Sequence, residues 1–327
     1  FKASIRWSDI HDDAFVDREG FPLLGYTAFS DCTKVVREVL IEIRKTSGSQ
    51  QLLRVRAPKE GLVGMGITGS CTVLMGAMMV SSPETVSLLL EHGVNPFETD
   101  ISGNDPFMFA SMFGRTDNVK FWLNRFPDWD LERKNKVMGG VALGQAVYMG
   151  PHRLELVKVL LDHEASLNHI TDVGTPILTT LCSCEDADPE ILQLLLEKTK
   201  SKNVINFKIR GKTFKWRNIH RLARLLTRTK LTKSGLMTAL AQDSGSTALH
   251  YAVQRGDVDI VNILLRHGAD PSIKNDLGKS PLEYCEVFPE LRGALKRVIH
   301  MQERSTKHTV VTLHRRNSTA TNMKFPM

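Results

Sequence analysis

One arrangement of residues recurs at six places in the 327-residue chain, and recurrence at a near-fixed interval confines a chain to a stack of like units. No unit of that size buries its apolar face alone, so each must pack on its neighbours. The clearest copy begins at Gly245 and reads Ser-Thr-Ala-Leu-His-Tyr-Ala-Val-Gln-Arg-Gly onward, through Leu264-Leu265 to Gly268. Thr247 offers a side-chain oxygen to cap a helix. Leu249 and Ala252 put a large and a small apolar residue on one helical face, and Gly256 permits a tight turn. Ile260, Val261, Leu264 and Leu265 form the stripe of a second amphipathic helix, which Gly268 closes. Anchored on Thr247, the equivalents are Thr72, Asp105, Val141, Thr175 and Ser280, at intervals of 33, 36, 34, 72 and 33 residues. Val141 alone lacks a capping oxygen. Pro106, Pro176 and Pro281 follow their anchors at what should be the first helical position, where a missing N–H costs nothing. Gly114, Gly150 and Gly256 each lie nine residues after an anchor, and the pairs Leu89–Leu90, Leu160–Leu161, Leu195–Leu196 and Leu264–Leu265 close the second helices.

Thr247-Ala248-Leu249-His250-Tyr251-Ala252 resembles the T-P-L-H-x-A start of the ankyrin repeat, a family whose unit is about 33 residues long. The resemblance is strong over residues 70–300. It implies an all-α ankyrin-repeat solenoid of helical hairpins joined by short finger loops, with no cofactor. It also implies a protein-binding scaffold that receives its partner on finger loops and inner helices, and no enzyme. His250, at the family's histidine position, is implied to hydrogen-bond between repeats and not to catalyse.

Two degenerate units join the six clear ones. Residues 20–44 hold a weak first repeat, from Gly20-Phe21-Pro22-Leu23-Leu24 through Val39-Leu40, after an extension at 1–19 and before a long loop at 45–69. Regular repeats occupy 70–206 and 244–300. Between them, 207–243 is a divergent basic unit. There Gly211-Lys212-Thr213 resembles a finger and cap 34 residues before Thr247, but Phe214 to Thr229 has no turn glycine and reads as one long helix. Leu291 and Leu295, with Arg292, Lys296 and Arg297 opposite, suit a polar-faced terminal repeat. Residues 301–327 read as a flexible basic Ser/Thr-rich tail, in which Ser318 after Arg315-Arg316 is a candidate phosphorylation site.

The formal net charge of +7 is concentrated. Residues 198–233 hold 13 Lys and Arg with no Asp or Glu, leaving 30 basic against 36 acidic residues elsewhere. On a helix, Arg217, Arg221, Arg224 and Arg228 form one stripe, with Trp216, Ile219, Leu222, Ala223 and Leu226 roughly opposite. Two readings follow. In one, the apolar face docks on the stack and the arginines are solvated. In the other, Lys215, Arg217, Arg221, Arg224 and Arg228 bind an acidic protein or an anionic lipid surface. Trp216 and the charge bring no recognisable nucleic-acid motif with them.

Other chemistries lack their parts. Gly64-x-Gly66-x-x-Gly69 matches a dinucleotide fingerprint, but the charged, Pro-broken Arg54–Lys59 stretch before it is no buried strand. Cys182-x-Cys184 has no second pair to complete a metal site. His11 with Asp12 and Asp13 builds no triad. Five scattered cysteines point to a reducing, intracellular and cytoplasmic setting. No apolar run is long enough for a membrane span. The expected partner is a protein, met by a monomer. The candidate contact residues are those off the packing pattern: Phe113, Arg115, Tyr148, Tyr251, Gln254 and Arg255, with Met108 and Met112 divided between core and contact. A regulatory ankyrin segment of a larger enzyme or channel is a further reading.

Overall fold

The computed structural model describes residues 23–45, 53–54, 56–57, 69–148, 153–199, 204–285, 288–289 and 291–300. The extension at 1–19, Gly64 and Gly66, Gly150 and the tail with Ser318 lie outside them. Fifteen named helical elements follow one another, and among the described residues no β-strand forms beyond the isolated bridges Arg56–Thr72 and Ile170–Pro176. The chain falls into two compact units, Phe1–Ile191 and Leu192–Met327.

In the first unit the helices pair as hairpins: α1 (Leu23–Phe29) with α2 (Thr33–Lys45), α3 (Val73–Val80) with α4 (Pro83–Glu91), α5 (Pro106–Met112) with α6 (Thr116–Arg125), and α7 (Ala142–Tyr148) with α8 (Leu154–Asp162). α9 (Ile177–Cys182) follows, and α10 (Pro189–Lys198) crosses the division between the units. First helices pack on first helices, from α1 through α3, α5 and α7 to α9, and second helices form a parallel row from α2 to α8. The sequence explains the layering. First helices are short and apolar almost all round: α3 buries Val73 to Met79, and α5 buries Pro106 to Ser111. A helix apolar on every side must be covered on every side. Second helices bury one stripe, as in α8 with Leu156, Val157 and Leu160, and turn the rest to water.

The caps are those the anchors predict at Thr72 and Asp105, which accept from the amides of Met75 (3.3 Å) and Met108 (2.8 Å). Pro176 corrects the expected register. It occupies the N-cap of α9 and Thr175 lies one residue outside, so this helix starts one residue late.

A helix this short leaves its last carbonyls without internal partners, and each hairpin supplies donors to the first helix before it. Ser81 Oγ donates to Ala28 O at the end of α1. Arg115 Nη2 donates to Ser81 O at 3.0 Å, and Asn118 Nδ2 to Met78 O and Ser81 O. Arg153 Nη1 donates to Ser111 O (3.0 Å) and Met112 O (2.7 Å). The Cys184 thiol donates to Val147 O and Tyr148 O. Buried carbonyls are thereby satisfied by a guanidinium, an amide or a thiol according to what each repeat carries.

The second unit contains α11 (Phe214–Arg228) packed on α12 (Gly235–Asp243), and α13 (Ala248–Arg255) packed on α14 (Val258–Arg266) and on the 3-10 turn Pro281–Tyr284. Phe214 to Arg228 thus forms one long helix, capped by Thr213 through the Trp216 amide and ended by Thr229. The short helix α12 after it has no counterpart in the sequence expectation. Residues 291–300 are helical, with Leu291 and Leu295 buried and Arg292, Lys296 and Arg297 exposed.

Candidate interaction surfaces

The finger loops turn between a second helix and the next first helix, and single backbone hydrogen bonds tie them into ladders. In the first unit, Ile101 N donates to Gly69 O (3.1 Å), Lys136 N to Ser102 O (2.8 Å) and Asp172 N to Met138 O (2.7 Å). In the second, Gly245 N donates to Ile209 O (2.8 Å) and Asp276 N to Ser244 O (2.9 Å). Polar side chains brace the loops from within. Asp100 Oδ1 accepts from Asn104 N, Asn135 Oδ1 from Met138 N and Gly140 N, and Asn275 Oδ1 from Leu277 N and Lys279 N. Tightly held loops of this kind carry three exposed apolar side chains at neighbouring tips: Ile101 (59% exposed), Val137 (48%) and Met138 (52%). Pattern reading missed all three, because it ranked residues on helices.

His250 performs the inter-repeat task implied by its position. Its Nδ1 accepts from Thr247 N (3.1 Å), which leaves Nε2–H to donate to Lys279 O in the next finger (3.1 Å). Burial, the largest influence, pushes its pKa down to about 4, so the ring is neutral near pH 7. His169 makes the related contact in the first unit, from Nε2 to Gly139 O at 2.8 Å.

The candidate contact residues separate on inspection. Tyr148 is exposed at the end of α7. Phe113 is half-buried and packs on the cluster of Cys71, Met75, Met79 and Phe109. Arg115 directs its guanidinium to Ser81 O, as above, a task set by the neighbouring helix. Tyr251 donates its hydroxyl to Asp243 Oδ1 at 2.5 Å, which joins α13 to α12. Gln254 is exposed and donates to Gln242 Oε1 (3.3 Å), and Arg255 is exposed. Met108 belongs to the core and Met112 is half-buried. Cys182 and Cys184 are buried, and among the described residues no cluster of His, Cys, Asp or Glu is arranged to hold a metal ion. No described helix is long and apolar enough to cross a membrane.

The apolar face of the basic helix is partly covered: Ala223 is buried, and Trp216, Ile219 and Leu226 are half-buried. α11 buries His220 and Ala223, while Leu222 is 50% and Leu225 59% exposed. The arginine side is the one that meets the neighbouring finger. Arg224 Nη1 lies 2.5 Å from both Asp276 Oδ2 and Ser244 Oγ, and Arg228 Nη2 donates to Asp276 O. Ser244 also donates to Asp276 Oδ2. Arg224 and Arg228 thereby tie α11 to the finger that carries Asp276. Lys215 stays exposed with its ammonium 6.0 Å from the Trp216 ring centre. Beside the Arg224 pair opens a cleft of about 420 Å³, walled by Arg210, Arg217, His220, Arg221 and Asp276.

Helical hairpins joined through hydrogen-bonded fingers define a repeat scaffold, and the comparisons say which repeat it resembles. The ankyrin repeat family model matches residues 244–276, and a model of multiple ankyrin repeats matches 77–121. The ankyrin repeat protein L92 of Acanthamoeba polyphaga mimivirus is 26% identical over 199 residues, which are 60% of this chain and 39% of that protein. The mitochondrial disaggregase of Bos taurus is 32% identical over 145 residues, 43% of this chain and 21% of the relative. This chain therefore spans well under half the length of either relative. The ankyrin repeat domain of human ASB11 superposes with a TM-score of 0.56 at 16% identity, over 84% of this chain and 97% of that domain. The chain carries ankyrin repeats at these two stretches and has the fold of an ankyrin repeat domain; ankyrin repeats are in general protein–protein interaction modules.

Proposed function

We propose that the protein is a non-enzymatic scaffold that seats a protein partner on its fingertips and the adjoining ends of its first helices. The observation that carries this reading is the exposed apolar strip Ile101–Val137–Met138 on two fingers already fixed by backbone hydrogen bonds. Exposed apolar side chains grouped on a rigid support mark an interaction surface, since covering them costs little ordering entropy. The bovine relative is by name a disaggregase, so the reading includes a recognition role beside a catalytic part of a longer protein. The test is the pair Ile101→Asp and Met138→Asp in one chain, with far-UV circular dichroism to check the fold. Quantitative affinity capture should lose its specific partner by tenfold or more, about the effect of removing one or two interface anchors. An unchanged set of captured proteins would remove the fingertips from the account.

A second reading, an acidic ligand on α11, is favoured by one observation. Among the described residues, Arg210, Arg217 and Arg221 have no hydrogen-bond or ion-pair partner although they share one cleft.

A further inference from the structure

The cleft beside α11 combines two features that an ordinary solvated basic face lacks. The first is convergence. Gly211 lies so close to the first turn of α11 that a Cβ there would stand 2.7 Å from the backbone of Trp216 and Arg217. That close approach brings Arg210, from the finger, beside Arg217 and Arg221, which lie one helical turn apart. One acid lines the cleft, Asp276, and it is already held by Arg224 and Ser244. The second is an unmet polar group. His220 is 2% exposed, lines the same cleft, and neither ring nitrogen has a hydrogen-bond partner. A buried imidazole N–H left without an acceptor is costly, and natural folds seldom leave one unless something else supplies it.

The chemistry of the missing partner follows from the donors. Guanidinium groups present flat pairs of N–H donors matched to oxyanions, and Asp276 on Arg224 shows an oxyanion accepted in this wall. A carboxylate has two oxygens and one charge, too few for three unpaired guanidinium groups and an imidazole. A phosphoryl group has three outward oxygens and up to two charges. A volume of about 420 Å³ is that of a small-ligand pocket.

The geometry points to a binding site for a small phosphorylated ligand in the second unit, with Arg210, Arg217 and Arg221 gripping the phosphate oxygens and His220 donating from the floor. Arg224 and Arg228 stand outside the grip, because Asp276 engages both. This deepens the acidic-ligand reading of α11 and is independent of the fingertip scaffold.

Isothermal titration of the full chain with inorganic pyrophosphate, at fixed ionic strength, tests it. Saturable binding of one ligand per chain is expected. The double variant R217Q/R221Q should bind about 100-fold more weakly, the loss of two charge-assisted contacts. The variant K230Q/K233Q removes the same charge from the same segment away from the cleft, and should change affinity less than threefold. Circular dichroism checks each fold. No saturable binding by the wild type, or equal losses in the two variants, overturns the site. A phosphoserine peptide that binds through Arg217 and Arg221 where pyrophosphate does not would overturn the small-ligand assignment. Competition between pyrophosphate and phosphatidylcholine vesicles containing phosphoinositide distinguishes the sources. Displacement supports the site with a lipid headgroup as its natural phosphate; pyrophosphate binding without vesicle binding supports it with a soluble one. Partner capture through Ile101 and Met138 should be the same in R217Q/R221Q, so failure of the cleft leaves the scaffold reading standing.

Discussion

The hairpins α5–α6 and α11–α12 begin alike and end differently. Each opens with a capping side chain at a finger, Asp105 in one and Thr213 in the other, and each finger bonds to a neighbour through its backbone. Beyond that point α5 is seven residues long and buries six of them. α11 is fifteen residues long and, of its residues, buries His220 and Ala223. The regular hairpin is fixed by packing all round. In the divergent one α11 packs on α12 and adds a polar contact at one rim, Arg224 and Arg228 on Asp276. Finger and cap are shared by the two hairpins, while the residues after them decide whether the helix faces go to the core or remain available to ligands.

The comparison is most exposed to failure at the aromatic cluster behind α5. Trp122 is fully buried, with its ring centre 4.9 Å from that of Phe126 and 5.0 Å from that of Trp129. Trp122→Ala should cost about 3–5 kcal/mol in urea unfolding. Leu222→Ala in α11 should stay within about 0.5 kcal/mol, as for a surface position. Comparable losses would show that α11 is packed as the regular helices are.

Next in size is the pH response of the regular hairpin α13–α14. Burial holds the folded His250 pKa down to about 4, against about 6.5 in the unfolded chain. The unfolded chain takes up a proton that the folded ring refuses. Stability present above pH 6.5 is therefore lost as pH falls toward 4, by up to about 3 kcal/mol. Urea midpoints measured across that window should fall in the wild type and fall less in His250→Asn. Parallel curves for the two proteins would contradict the buried neutral ring.

A smaller effect separates two arginines. Arg153 serves carbonyls of α5, and Arg153→Ala should cost about 2 kcal/mol by removing the guanidinium donor from Met112 O and from Ser111 O, which keeps the Gly114 amide. Arg221→Ala removes an exposed guanidinium and should shift stability by less than about 0.5 kcal/mol. A large destabilisation from Arg221→Ala would place that residue among the structural arginines and out of the cleft.

Much of the fold was legible before any coordinate. The anchors at Thr72, Asp105 and Thr213 mark helix starts because a cap is a local device, made by a side chain and an amide three residues on. The role of His250 was readable only through its place in the ankyrin pattern. Arg115 illustrates the limit. Off the packing pattern, it reads as a contact residue, yet it serves a carbonyl 34 residues away. Arg153 and Cys184 do the same for other helices and carry no pattern at all. Ile101, Val137 and Met138 were overlooked because a loop has no periodicity against which an exposed apolar residue stands out.

By itself the sequence determined the repeat and most of the helix starts, since these depend on spacing and on contacts between near neighbours in the chain. It also determined that α11 has a basic and an apolar side. Which side meets the neighbouring finger was decided by the tertiary structure alone. Asp276, 52 residues beyond Arg224, offers the arginines a carboxylate and a carbonyl. That contact leaves Leu222 and Leu225 exposed and turns the arginine stripe into the wall of a cleft. Helical spacing sorts residues into faces, but only the arrangement of the other repeats brings a partner to one of them.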